Sequence, residues 1–74
     1  MRTFEDTAGR CWDVAVSEES YGTQRLIFAE RSGGELRGHE LAVSSRDTAE
    51  RMLLGLSEAE LRALLVQAVE WRPG

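Results

Sequence analysis

From Leu56 to Trp71 the chain reads as an amphipathic helix that carries its own start signal. Ser57 and Glu60 stand at capping-box spacing, and Leu56 and Leu61 flank them where a hydrophobic staple packs. Leu61, Leu64, Leu65, Ala68 and Val69 then fall on one stripe of the helix. A stripe of that kind needs an apolar surface to lie on, which the residues before it must supply. The pattern predicts a helix over about residues 58–71, ending before Pro73.

A shorter helix is predicted just upstream, over about residues 45–54. Ser44 or Ser45 caps it, and Asp47 and Glu50 lie in its early turns, where carboxylates favour the helix dipole. Ala49, Met52, Leu53 and Leu56 form its apolar side, and Gly55 is the natural stop.

The preceding residues alternate instead. Phe4 sits in a short first segment, and Asp6-Thr7-Ala8-Gly9 reads as a turn. Between Arg10 and Ser17, Trp12, Val14 and Val16 point one way while Cys11, Asp13, Ala15 and Ser17 point the other, the pattern of a half-buried strand. Residues 18–22 form a loop, and Thr23 to Arg31 forms a second strand around Leu26-Ile27-Phe28-Ala29. Ser32-Gly33-Gly34 marks a hairpin. A two-residue turn at Gly33-Gly34 sets Glu30 opposite Arg37, Phe28 opposite His39 and Leu26 opposite Leu41. A turn one residue earlier would oppose Glu30 and Glu35, a like-charge pair, so the first register is preferred.

Strands first and helices last give an α+β fold. An antiparallel meander of three to four strands, about residues 2–43, is followed by two C-terminal helices packed on one sheet face, in a single domain over residues 1–74. A chain of 74 residues is near the lower limit for folding without staples, and self-association is one way to relieve its marginal stability. Cys11 is the sole cysteine and has no internal disulfide partner. With no charged-then-apolar leader and no run long enough to span a membrane, the expected compartment is a reducing cytoplasm, with no membrane association.

The net charge is −4, and all nine basic residues are arginine. That balance argues against sequence-independent binding to nucleic acid, which needs a basic footprint, though it leaves room for a local arginine patch. His39 is the sole histidine, and no spacing joins it to Cys11 or to a serine as a nucleophile dyad, so a packed or rim histidine is the simpler reading. One Cys and one His nearly thirty residues apart do not make a zinc site, and no Asp-x-Asp-x-Asp-Gly loop occurs. Gly33-Gly34-Glu35-Leu36-Arg37-Gly38 turns a hairpin and does not open a helix, so it is no phosphate cradle. The reading therefore contains no catalytic, metal or cofactor-binding residue, and no cofactor.

The opening Met1-Arg2-Thr3-Phe4-x-Asp6-x-x-Gly9-Arg10-x-Trp12-x-Val14-x-Val16 resembles the start of short uncharacterised bacterial proteins of similar length. The resemblance covers the first quarter of the chain and, loosely, the rest. It implies a turn between two short strands and brings no activity, cofactor or site with it.

What remains is surface. The strand face turned away from Trp12, Val14 and Val16 presents Ala15, Ile27, Ala29, Leu36, Gly38 and Ala42, bordered by Asp13, Arg25, Arg31 and Glu40. An antiparallel sheet usually solvates such a face with longer polar side chains. Small, partly apolar residues there would let another surface come close. The expected function is a non-enzymatic protein–protein interaction or small regulatory module, a homodimer or the partner of another cytoplasmic protein. It would bind through that sheet face, an exposed strand edge or the Trp71 end of the helices, with Ile27, Leu36 and Trp71 as its candidate anchors. The alternative is a nucleic-acid or anion-binding module using Arg10, Arg25, Arg31 and Arg37 on the sheet.

Overall fold

The computed structural model describes residues 1–19 and 22–71. Ser20 and Tyr21 of the predicted loop, and Pro73, lie outside the described residues. Along the chain run β1 (Arg2–Glu5), β2 (Cys11–Glu18), β3 (Gln24–Glu30), β4 (Leu36–Leu41), α1 (Arg46–Gly55), α2 (Glu58–Gln67) and β5 (Val69–Glu70). The strands make one antiparallel sheet in the order β1-β2-β3-β4-β5. This is the expected α+β arrangement, with one strand more than the alternation predicted.

The two helices lie on one face of the sheet. Phe4, Trp12, Val14, Val16, Leu26, Phe28 and Leu41 from the strands meet Ala49 and Leu53 of α1 and Leu61 and Leu65 of α2 in a single core. Phe4 meets Phe28 edge-on at 6.1 Å, and the Arg37 guanidinium stands 5.1 Å from the centre of the Trp12 ring. Both helix starts follow from their sequences. Ser45 Oγ accepts from the Thr48 N–H, and Ser57 and Glu60 form the full reciprocal capping box. Ser57 therefore holds the Glu60 carboxyl below its ordinary range, first through its backbone N–H and then through its side chain.

Side chains at the corners tie the layers together. Asp6 Oδ1 accepts from the N–H groups of Ala8 (2.8 Å) and Arg10 (2.9 Å), while Oδ2 accepts from Trp12 Nε1 at 2.8 Å. These bonds hold its carboxyl low, the Trp12 indole contributing most. From β1, Arg2 donates to the carbonyls of Leu53 (2.9 Å) and Leu56 at the end of α1, which has no basic residue in its own last turn. Gly55 is the last residue of that helix rather than its left-handed stop; Leu56 caps it in extended conformation.

Two expectations are corrected. First, the β3–β4 hairpin adopts the register that charge argued against: Leu26 pairs with His39, Phe28 with Arg37 and Ala29 with Leu36. The loop is four residues, Arg31–Gly34, with Gly34 at φ +74° and the Glu30 N–H donating to the Glu35 carbonyl. The like-charge pair is tolerated because the two carboxylates find separate partners. Glu30 accepts from Ser32 Oγ at 3.2 Å and lies against Gly33, where a β-carbon would run into its carboxylate. Glu35 instead pairs with Arg37 at 2.6 Å and Arg10 at 3.5 Å. This register also matches apolar to apolar, setting Leu36 beside Ala29, where the charge-based one would have set it beside Arg31.

Second, α2 stops at Gln67, short of 71. Ala68 turns extended (φ −68°, ψ 146°), and Val69 and Glu70 pair with Gly38 and Arg37 of β4. Backbone groups on the β4 edge would otherwise go unpaired by protein, and β-branched Val69 suits the pleat.

Candidate interaction face

Pairing across the strands lays out the outer face of the sheet in rows, since residues directly opposite share a face. One row runs Thr3, Asp13, Ala29 and Leu36, and the Trp71 N–H, donating to the Leu36 carbonyl at 3.1 Å, extends it to Trp71. The next runs Ala15, Ile27, Gly38 and Val69, and the one beyond it Ser17, Arg25 and Glu40. Neither α1 nor α2 covers any of these residues, because both occupy the opposite face.

The early end of α2 decides where Trp71 goes. As a strand residue in the Leu36 row it turns to the outer face. There a β-carbon on Gly38 would meet its Cδ1 at 3.0 Å and its Cγ at 3.2 Å. The same imagined carbon would lie 3.2 Å from Arg25 Cδ, so the indole and the arginine stem together roof the glycine. The three predicted anchors, Ile27, Leu36 and Trp71, thus share one surface, and each is half-buried. Val69 belongs with them and is 64% exposed, although the helical stripe had assigned it to the core. Its apolar–charged–apolar sequence Val69-Glu70-Trp71 is a strand alternation that three residues are too few to announce. Ala42 lies past the end of β4 and is exposed.

Charged rows border the apolar ones with both signs. On one side Arg31 Nε pairs with Asp13 at 3.3 Å. On the other, Arg25 lies between Glu40 (3.6 Å) and Glu19 (3.3 Å), the latter contact misaligned for a hydrogen bond and so one of charge alone.

The four arginines of the alternative reading do not form a patch. Arg25 and Arg31 border the outer face, Arg37 lies on the helix side over Trp12, and Arg10 precedes β2. Each has a carboxylate partner: Arg10 and Arg37 share Glu35, Arg25 has Glu19 and Glu40, and Arg31 has Asp13. Surface pairs of this kind are worth little to stability, and each sets a carboxylate beside its arginine.

His39 is half-buried on the helix side, opposite Leu26. Cys11, exposed, starts β2 on the outer face, so the sheet itself separates the two. Among the described residues no group of three or more His, Cys, Asp or Glu side chains converges where it could hold a metal ion. Nor is any helix among them long and apolar enough to cross a membrane. No protein-family model matches the chain, and neither the curated proteins nor the solved structures contain a match to it.

Proposed function

We propose that the protein is a non-enzymatic interaction module that self-associates in the cytoplasm through the outer face of its sheet. The observation that carries this reading is the gathering of Ile27, Leu36, Val69 and Trp71 on a face that no element among the described residues covers. A second copy suits the face because each charged border carries both signs, so a two-fold axis can set arginine against carboxylate across the interface. The molecule measures 34 × 29 × 18 Å, and its broad faces are of the size that buries roughly 800 Å² per partner in a standard interface. A reducing compartment suits the exposed thiol of Cys11.

Affinity is modest on this reading. Ile27, Leu36 and Trp71 are half-buried already and retain only part of the roughly 1.5–3 kcal/mol that full burial of each is worth. Association costs about 4–15 kcal/mol before any gain. Sedimentation equilibrium should therefore be run as a concentration series, in which the average mass is expected to rise from monomer toward dimer. The Ile27→Arg variant, which puts a charge in the centre of the face, should remain monomeric throughout. A wild type that stays monomeric at the highest concentration overturns the self-association, and dimers that survive Ile27→Arg exclude this face.

A further inference from the structure

The sheet has two outer edges, and α2 helps to cover both. At the β1 edge Arg62 Nε of that helix donates to the Glu5 carbonyl at 2.7 Å. At the β4 edge the pairing of Gly38 with Val69 carries the extended Ala68 to the place opposite His39, where it packs against the core. Gln67, just before it, is already the end of α2, so the end of β4 has no room for a further strand.

What stays open lies between the layers, a groove of about 410 Å³ on the helix side. His39 and Leu41 form its sheet wall, Met52 and Leu56 close it at the end of α1, and Ala63 and Leu64 close it along α2. Sites for small molecules have this size, roughly 300–1,000 Å³, and this mostly apolar lining. Met52 is 39% exposed there, and its flexible thioether suits the edge of an aromatic ring. The groove also presents one carboxylate without a cation. Glu40 lines it, but the Glu40 side chain belongs to the outer face, where Arg25 lies 3.6 Å away. Glu60, in the first turn of α2, has no arginine paired with it among the described residues. Its Oε1 accepts from the Ser57 N–H at 2.8 Å, and a carboxylate already held in one geometry loses little freedom on taking a cation.

We propose that this groove binds a small aromatic amine, the ring lying against Met52, Leu56 and Leu64 and the ammonium against the Glu60 carboxylate. Charge complementarity selects the head group. The walls carry a carboxylate and no arginine or lysine, and a protein of net charge −4 draws cations toward its surface. Ser57 both pins that carboxylate and keeps it ionised, so the charge is in place before the ligand arrives. The walls select the body. Leu56 and Leu64 are half-buried and Met52 is exposed, so each still has apolar surface for a ring to cover. With Ala68 at the strand edge and a helix on either side, the space suits a compact ring, whereas an extended peptide finds no backbone to pair with.

The probe is phenethylamine, with phenethyl alcohol as its uncharged counterpart. Each is titrated into the whole protein at about pH 8, above the range in which histidines ordinarily titrate. Nuclear magnetic resonance of the Met52 methyl and the Leu64 amide reports occupancy of the groove. The amine is expected to bind at about 1–10 mM, as befits so few atoms. It should bind roughly two- to fivefold tighter than the alcohol, the scale of an exposed ion pair. Glu60→Gln removes the charge and can keep both capping-box bonds. It should bring the amine down to the affinity of the alcohol and leave the alcohol unchanged. Ala63→Arg, at an exposed helix position in the groove wall, fills the space and should weaken the amine about tenfold or more. No binding at about 50 mM, shifts confined to residues away from the groove, or an amine advantage that is absent or survives Glu60→Gln overturns the proposal. So does a protein whose own dimers are broken by Ala63→Arg, which would make the occupant a second copy. Ile27→Arg should leave amine binding intact, so this site and the outer face stand or fall separately.

Discussion

The indole of Trp71 stands over Gly38, its Cδ1 3.0 Å from where a β-carbon on that glycine would sit. The contact joins the last described residue to the middle of β4, and it explains why a strand facing both a helix layer and an open surface carries a glycine there. A side chain at position 38 would lift the indole off the sheet. Gly38→Val is therefore expected to raise the fraction of tryptophan fluorescence quenched by iodide, with Trp12, fully buried, remaining the unquenched component. An unchanged quenching profile would show that Trp71 is not held by this contact.

Asp6 makes the β1–β2 corner sensitive to acid. Its folded-state pKa lies below the ordinary value of 3.8, so its contribution to stability is fully present above that value and is lost as pH falls through the lower, folded one. Glu60 acts in the same direction from its ordinary value of 4.5. Urea midpoints measured from neutral pH down to about pH 2 are expected to fall most steeply below these ordinary carboxylate values. In Asp6→Asn the neutral-pH midpoint should be lower and the acid-side slope shallower. Equal slopes in the two proteins would remove Asp6 from the account.

The capping box should be measurable on its own. Ser57→Ala removes the hydroxyl that accepts from the Glu60 N–H, and the expected loss is about 1 kcal/mol in denaturant unfolding. Because Ser57 is exposed, no packing change should accompany it, and the near-ultraviolet dichroism should stay as in the wild type.

Leu61 carries more. It is fully buried between α2 and the sheet, and Leu61→Ala should cost about 2–5 kcal/mol. A domain of this length holds roughly 4–11 kcal/mol in total. The variant is thus expected to be partly unfolded at 37 °C, which thermal melts followed by far-ultraviolet dichroism would show. A melt within a few degrees of wild type would mean that the core collapses to fill the space.

Much of the fold was legible in the residues themselves. The alternation of Trp12, Val14 and Val16, the Asp6–Gly9 turn, the Ser45 cap and the Ser57–Glu60 box each state their local structure at a range of a few residues. Both faces of the sheet were also legible, because the hairpin register differed from the expected one by an even step, which leaves every side chain on its own face. The register itself was not. Charge opposition between Glu30 and Glu35 looked decisive until Ser32, Gly33, Arg37 and Arg10 gave each carboxylate a separate environment.

The sequence by itself determined the periods, the turns, the helix starts and the split between a helix-bearing face and an uncovered one, because these depend on neighbours along the chain. Tertiary structure decided the rest. Residues 68–71 continue an acceptable helical stripe, yet the open backbone of β4 draws Val69 and Glu70 into the sheet and carries Trp71 to the opposite face. Arg62 guards the β1 edge, while among the described residues no strand pairs with Glu40 on the β4 edge, although nothing near either residue in sequence marks the difference. Hydrogen-bonding groups at a sheet edge are satisfied by whatever reaches them in space, and that is set only once the layers have packed.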